Sequence, residues 1–63
     1  MKALLSDGPL EGRAIGVDTD AEGKPPHTID VNVDDGHIYF YDLKELAAAG
    51  DIAVYGFRDQ QTL

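Results

Sequence analysis

The sequence contains no cysteine and no tryptophan, and only five of its 63 residues are basic. The absence of cysteine excludes disulfide frameworks, thiolate metal sites, thiol catalysis and redox switches. No apolar run approaches the roughly 20 residues of a membrane-spanning helix, so the sequence predicts no membrane span. The first residues also lack the apolar run of about 7–15 residues that a secretory signal peptide needs. We therefore expect a protein that acts in the compartment where it is made, or inside an assembly.

Acidic residues dominate the charge, since 12 acidic and five basic side chains give a formal net charge of −7. Nucleic acids and anionic membranes are bound through clustered lysines and arginines. The basic residues here are scattered, which predicts no direct contact with either: Lys2, Arg13, Lys24, Lys44 and Arg58. Net negative charge favours encounters with basic surfaces of other proteins. It also simply keeps a small domain soluble.

The length is sufficient for a single small domain, residues 1–63, and leaves no room for a second. Residues 2–5 form an apolar start that ends at a turn over residues 7–12. In this turn Pro9 presets φ, and Gly8 and Gly12 accept positive φ, which predicts a hairpin connection. Residues 13–17 form the return strand, and residues 18–26 form a long acidic loop.

A second hairpin is expected in the middle of the chain. Strict alternation over residues 28–33 predicts a half-buried strand, and Asp35-Gly36 favours a two-residue type I′ turn. This turn places Val31 opposite Phe40 and Asp30 opposite Tyr41. One face then carries Ile29, Val31, Val33, Ile38 and Phe40, and the other carries Thr28, Asp30, Asn32, Tyr39 and Tyr41. A slip of one residue would scatter both sets, so we expect this register to be strongly specified.

A short helix is predicted after the second hairpin. Asp42 has the character of an N-cap, with Glu45 three residues on and Gly50 at the far end. Leu43, Leu46 and Ala47 then share one helical face. Residues 52–57 follow as a strand that is apolar on both faces, which indicates an interior position in the sheet. The polar residues 58–63 are expected to fray.

The resulting order, β-β-β-β-α-β, indicates a mainly β fold with one short helix. Because closure hides the edges of a sheet, we expect a small bent antiparallel sheet or a partly open barrel of the SH3-like kind. An open antiparallel sheet with the helix across one face is the alternative.

Two segments carry a resemblance to a known group of proteins. Residues 7–12 read Asp-Gly-Pro-Leu-Glu-Gly, and residues 53–57 read Ala-Val-Tyr-Gly-Phe, with Tyr41-Asp42-Leu43 between them. The chain resembles short proteins of actinobacteria and their tailed phages, which carry a Gly-Gly-Pro-Leu-Asp-Gly-type turn and an Ala-Val-Tyr-x-Phe-type strand. It differs at Asp7 and Glu11, where the group usually has Gly and Asp. The resemblance implies a bacterial or phage source and no particular activity.

Metal binding is not expected from the acidic loop. Residues 18–23 resemble the first half of an EF-hand calcium loop. However, Ile29 takes the place of the final glutamate, and Pro25 and Pro26 fall inside the loop. The expected register also separates His27 from His37 by about 23 Å, which excludes a shared metal. We therefore expect a solvated loop and neither a metal site nor a cofactor.

Catalysis is not expected either. Ser6 is the only serine and has no histidine nearby in the sequence. General acid catalysis needs a carboxyl group whose pKa is raised by burial. The acidic residues fall almost entirely in turns and loops, where water solvates them. The sequence therefore predicts no catalytic residues.

The expected polar face of the second hairpin is the predicted protein-binding surface. Tyrosine is enriched where a partner buries a surface, because it offers area and a hydroxyl group at low entropic cost. The last strand extends the patch, which gives the candidates Asp30, Asn32, Tyr39, Tyr41 and Tyr55. The alternative is that the helix covers this face and buries the tyrosines.

Together these features favour a non-enzymatic, phage-type accessory protein that binds another protein through an acidic, tyrosine-bearing sheet face. Such a protein would inhibit or modulate a host factor in the bacterial cytoplasm. One alternative is a small virion structural protein that decorates a capsid, and another is an acidic mimic of DNA. Self-association into a homo-oligomer that hides the aromatic face is a further alternative.

Overall fold

A computed structural model of the chain describes residues 1–47 and 51–63. Its five strands are β1 (Lys2–Leu5), β2 (Ala14–Gly16), β3 (Thr28–Asn32), β4 (His37–Leu46) and β5 (Ile52–Thr62). A short 3₁₀ helix, Gly8–Leu10, lies in the connection between β1 and β2. The strands form one sheet in the order β2-β1-β5-β4-β3, and this sheet curls into a half-barrel. The predicted mainly β fold is confirmed.

β5 occupies the centre of the sheet, as its apolar character on both faces predicts. It pairs antiparallel with β4 and parallel with β1, where Leu5 lies opposite Tyr55. The sheet is therefore mixed and not wholly antiparallel. β1 pairs antiparallel with β2 through the predicted turn, with Ala3 opposite Ile15.

The register of the β3–β4 hairpin differs by one residue from the prediction. Val31 pairs with Tyr39 and Ile29 pairs with Tyr41, whereas the two-residue turn would set Phe40 opposite Val31. The aliphatic side chains of β3 therefore share a face with the tyrosines of β4. The opposite face carries Thr28, Asp30 and Asn32 together with Ile38 and Phe40.

A longer loop is the cause of this shift. The Asn32 side chain accepts the Asp34 N–H at 2.9 Å, and the Asp35 carboxylate accepts the His37 N–H at 3.0 Å. Asp34 takes a φ of 62° and Gly36 a φ of 83°. These local hydrogen bonds stabilise a loop over residues 33–36, which is longer than a type I′ turn.

The predicted helix after Asp42 is wrong over the described residues. β4 continues to Leu46 because β5 pairs along its whole length, with Leu46 opposite Ala53. The expected helix end at Gly50 lies outside the described residues. The predicted fraying of residues 58–63 is also wrong, since β5 extends to Thr62, which lies opposite His37.

One face of the curled sheet holds the hydrophobic core. Its members are Ala3, Leu5, Leu10, Ile29, Val31, Tyr39, Tyr41, Ala53 and Tyr55. The pairing of β4 with β5 shifts between Phe40 and Tyr41 and again between Leu43 and Glu45. Such irregularities increase the local bend and twist of a sheet, so they favour the curl that brings the core side chains together.

Candidate functional site

The five predicted binding residues do not form one surface. Tyr41 and Tyr55 are fully buried and Tyr39 is 6% exposed, whereas Asp30 and Asn32 are exposed on the other face of the sheet. The one-residue change of register is the reason. The alternative that the tyrosines belong to the core is therefore the correct one. The curled sheet and the first turn cover them, and residues 42–46, where the covering helix is expected, belong to β4.

Tyr41 fixes the first turn to the sheet. Its hydroxyl accepts the backbone N–H of Leu10 at 3.1 Å and donates to the backbone carbonyl of Asp7 at 2.8 Å. Its ring meets the Phe57 ring edge to face, with the centroids 5.5 Å apart. The phenol thus satisfies two backbone groups that would otherwise lose water on burial.

Tyr55 fixes the long loop in the same way. Its hydroxyl donates to the carbonyl of Pro26 at 2.6 Å. Burial raises the pKa of Tyr55, because the phenolate is disfavoured away from water. This contact sets the position of the loop just before β3 begins.

A third tyrosine contact lies at the end of the second hairpin. The Tyr39 hydroxyl donates to the carboxylate of Asp35. This hydrogen bond lowers the pKa of Asp35 and raises the pKa of Tyr39. The same carboxylate group lies 3.7 Å from the His37 ring nitrogen. All three predicted tyrosines therefore serve the fold.

The open side of the half-barrel forms the best candidate for a binding site. β2 and β3 are the two edge strands of the sheet. Between them lies a cleft of about 680 Å³, lined by residues 15–20 and 24–30. We call this opening the seam cleft. Its volume is within the range of about 300–1,000 Å³ that is typical of ligand pockets.

The seam cleft combines apolar and acidic side chains. Ile15 and Val17 are half-buried, and Ile29 and Pro25 are buried, so they supply apolar surface. Asp18, Asp20 and Asp30 also line the cleft and are exposed. Lys24 is the lysine among the lining residues, and its ammonium group lies 3.5 Å from the Glu22 carboxylate. The cleft therefore has a negative rim above an apolar floor.

The acidic loop beside the seam cleft is stabilised by its own backbone. One carboxylate oxygen of Asp20 accepts the N–H groups of Lys24 and Glu22, both at 2.9 Å. These two hydrogen bonds lower the pKa of Asp20. Gly23 takes a φ of 80° at the bend. Among residues 1–47 and 51–63, no group of three His, Cys, Asp or Glu residues is arranged to hold a metal ion.

The outer face of the sheet carries a smaller polar network. The Arg58 guanidinium lies 3.0 Å from the Asp42 carboxylate and 5.6 Å from the Phe40 ring centroid. The Thr28 hydroxyl donates to the same carboxylate at 3.0 Å. Because these groups are largely exposed, their contribution to stability is small.

No local pattern in the sequence points to the seam cleft. The spacing of Asp18 and Asp20 suggests only calcium ligands, and the alternation over residues 28–33 predicts Asp30 on the face of the tyrosines. The alternation of Ile15 and Val17 was visible in the sequence, but it does not show that β2 lies across an opening from β3.

A family model described as "Domain of unknown function (DUF8847)" matches residues 1–59. The chain belongs to this family. The match contains β1 to β4 and most of β5, so both edges of the seam cleft lie inside the DUF8847 domain. A comparison with curated proteins finds no match, and a comparison with solved structures also finds none. In the described part of the chain, no helix has the length and apolar character needed to cross a membrane.

Proposed function

We propose that this domain is a non-enzymatic protein-binding module that holds its partner in the seam cleft. The observation that carries the proposal is the opening between β2 and β3, whose lining combines an apolar floor, half-buried at Ile15 and Val17, with an exposed acidic rim. Burying the apolar floor against a partner supplies affinity, and the rim selects the charge of that partner.

The charge distribution supports a basic partner. Asp18, Asp20 and Asp30 line the opening, and the whole chain carries a net charge of −7. Complementary charge raises the rate of encounter and disfavours acidic competitors. We therefore expect the affinity to fall as the salt concentration rises.

The resemblance to proteins of actinobacteria and their phages implies a source and no activity. Within that source, the proposed partner is a host factor in the bacterial cytoplasm. A virion protein is the second candidate, and mass spectrometry of purified particles would reveal the chain there at high copy number.

Charge reversal at the rim tests the proposed function. The immobilised chain is compared with Asp18→Lys/Asp30→Lys in capture from a lysate of the source organism. The matched control is Glu11→Lys/Asp51→Lys, which makes the same change in net charge at two exposed positions that do not line the cleft. We expect the rim variant to capture about tenfold less partner than the unmodified chain, and the control variant to capture the same amount as the unmodified chain.

Two results would contradict the proposal. Equal losses in both variants would show that only net charge matters, and full retention in both would show that the rim is not used. The far-ultraviolet circular dichroism of each variant confirms that the sheet is intact. If the chain is found in purified particles and the rim variant binds there as well as the unmodified chain, the virion alternative is favoured, with binding through another surface.

A further inference from the structure

We propose that the seam cleft receives an extended, basic segment of the partner as an additional β-strand between β2 and β3. This inference rests on the proposed function and adds the chemistry of the ligand. The observation behind it is that unpaired backbone groups of both edge strands face the same opening.

The first set of groups belongs to β2. Val17 N–H donates to Met1 O and Leu5 N–H donates to Arg13 O, both at 2.9 Å. In an antiparallel pair, alternate residues direct their backbone groups toward the partner strand and away from it. Ala14 and Gly16 therefore direct theirs away from β1. Among the described residues, no strand pairs with β2 on that side.

The second set belongs to β3. Leu43 N–H donates to His27 O at 2.7 Å, so the same alternation turns the backbone groups of Thr28, Asp30 and Asn32 away from β4. Gly16, Thr28 and Asp30 all line the seam cleft. Free N–H and C=O groups on such edges are a template for an added strand.

Side-chain chemistry defines the sequence that fits. Alternate side chains of a strand point to opposite faces. One set would cover the apolar floor at Ile15, Val17 and Ile29, and the other would face the carboxylates of Asp18 and Asp30. The expected ligand alternates apolar and basic residues and lacks proline, which has no N–H to donate.

A second copy of this chain is a poor occupant by the same criterion. Each copy carries a net charge of −7. Inserting the β3 strand of one copy into the cleft of another would bring a further Asp30 carboxylate to an acidic rim. Charge complementarity therefore favours a basic segment from a different protein.

Amide hydrogen exchange tests the placement of the strand. The probe is a synthetic seven-residue peptide of alternating lysine and valine, blocked at both ends, added to the ¹⁵N-labelled full chain. We expect slower exchange at Gly16 on one edge and at Thr28 and Asp30 on the other. Protection at one edge only, or at neither, would overturn the insertion between the two strands.

Control peptides separate strand pairing from simple charge attraction. Replacing the central valine of the probe with proline should weaken binding by about tenfold, because it removes an N–H group and disfavours the extended pairing. Replacing every lysine with glutamate should abolish binding. Equal affinity of the proline peptide would overturn strand addition.

A pair of variants at Gly16 tests the same step from the protein side. Gly16→Pro removes the outward N–H of β2, whereas Gly16→Ala keeps it. A Cβ at this position meets no atom within 4 Å, and the φ of Gly16 is not positive. We expect the proline variant to bind the probe about three- to tenfold more weakly, the effect of one lost hydrogen bond, and the alanine variant to bind normally.

The two proposals fail in different ways. If Gly16→Pro binds like Gly16→Ala while Asp18→Lys/Asp30→Lys loses binding, the protein-binding function stands and strand addition is wrong. If neither set of variants alters binding, the function assigned to the cleft is wrong as well. A dimer in sedimentation velocity, with Gly16 and Thr28 protected in the absence of peptide, would assign the edges to a second copy and overturn the inference.

Discussion

Buried phenols are the residues that connect the irregular segments to the sheet. Tyr41 serves a backbone donor and a backbone acceptor in the first turn, and Tyr55 serves one acceptor in the long loop. A buried polar group that loses its partner costs more than the average hydrogen bond contributes. The hydroxyl groups of these tyrosines therefore add to the stability that burial of their rings supplies.

Removing the Tyr41 hydroxyl should destabilise the domain. Tyr41→Phe leaves the N–H of Leu10, a buried residue, without its acceptor, and we expect the free energy of unfolding to fall by about 1–3 kcal/mol. Tyr55→Phe removes a single, partly buried hydrogen bond and should cost about 0.5–1.5 kcal/mol. Urea denaturation of both variants measures the difference. A smaller loss for Tyr41→Phe than for Tyr55→Phe would contradict this account.

The Tyr39–Asp35 hydrogen bond should affect the pH dependence of the free energy of unfolding. The pKa of Asp35 is lowered in the folded chain, so this carboxylate stabilises the fold above its unfolded pKa, and the contribution disappears as the pH falls through the folded value. Tyr39→Phe should raise the pKa of Asp35 toward its ordinary value and reduce the loss of stability on acidification. A ¹³C NMR titration of the side-chain carboxyl groups measures this pKa.

Asp20 provides an internal control in the same titration. Its pKa is lowered by backbone N–H groups of its own loop, and Tyr39→Phe does not alter that loop. The pKa of Asp20 should therefore remain low in the variant. An unchanged pKa of Asp35 would show that the Tyr39 hydroxyl does not act on this carboxylate.

The first turn approaches the sheet closely at Gly8. Gly8 has a φ of +73°, and a Cβ on it would lie 2.5 Å from the Phe57 Cβ. Gly12 in the same turn has a φ of +89° but faces open space. Substitutions at the two glycines therefore distinguish the effect of backbone strain, present at both, from that of steric contact, present only at Gly8.

The corresponding alanine variants should differ in stability. Gly12→Ala should cost about 1–2 kcal/mol, because an L-residue is strained at positive φ. Gly8→Ala has this strain and must also displace Phe57, which should add about 1–3 kcal/mol. Thermal and urea unfolding measure both values. Equal losses would show that the turn moves away from Phe57 at no cost.

The elements differ in how far the sequence predicts them. The first hairpin, the strand of alternating residues at Thr28–Asn32 and the interior position of β5 all follow from local patterns, because turn residues and periodicity act over a few positions. β4 does not. Its shifts in pairing at Tyr41 and between Leu43 and Glu45 disturb the alternation, and Asp42 with Glu45 imitates a helix start. Pairing with β5, a long-range interaction, overrides this helical signal.

The register of the second hairpin shows the same limit. Asp35-Gly36 is a good type I′ turn, and both registers give one face with aliphatic side chains. The observed register is favoured by hydrogen bonds of the tyrosines. Tyr41 contacts Asp7 and Leu10, which are distant in the sequence, and Tyr39 contacts Asp35 within the longer hairpin loop. The residue pattern alone does not show on which face of the sheet the tyrosine hydroxyl groups have hydrogen-bond partners.

At the scale of the whole molecule, the seam cleft depends on topology. β2 and β3 become its two edges because β5 inserts between β1 and β4. Charge and an acidic loop are visible in the sequence, and they predict a basic protein partner. The location of the site is not visible in the sequence, because it depends on the curl of the sheet, which leaves this side open.

The net charge predicts opposite effects of salt on folding and on binding. Like charges destabilise a compact chain, and the described salt bridges involve largely exposed side chains, so screening them costs little. Raising the sodium chloride concentration from about 0.02 to 0.5 M shortens the screening length several-fold. The melting temperature should therefore rise by a few degrees, roughly the effect of 1 kcal/mol or less, while affinity for the lysine–valine probe falls.

The Glu11→Lys/Asp51→Lys variant isolates the cause of the salt effect on folding. Two substitutions from −1 to +1 change the net charge from −7 to −3, so self-repulsion is weaker and the melting temperature should respond less to salt. The rim of the seam cleft is unchanged in this variant, so the salt dependence of probe binding should persist. A melting temperature that falls with salt in the unmodified chain would show that specific ion pairs, and not net repulsion, dominate its electrostatics.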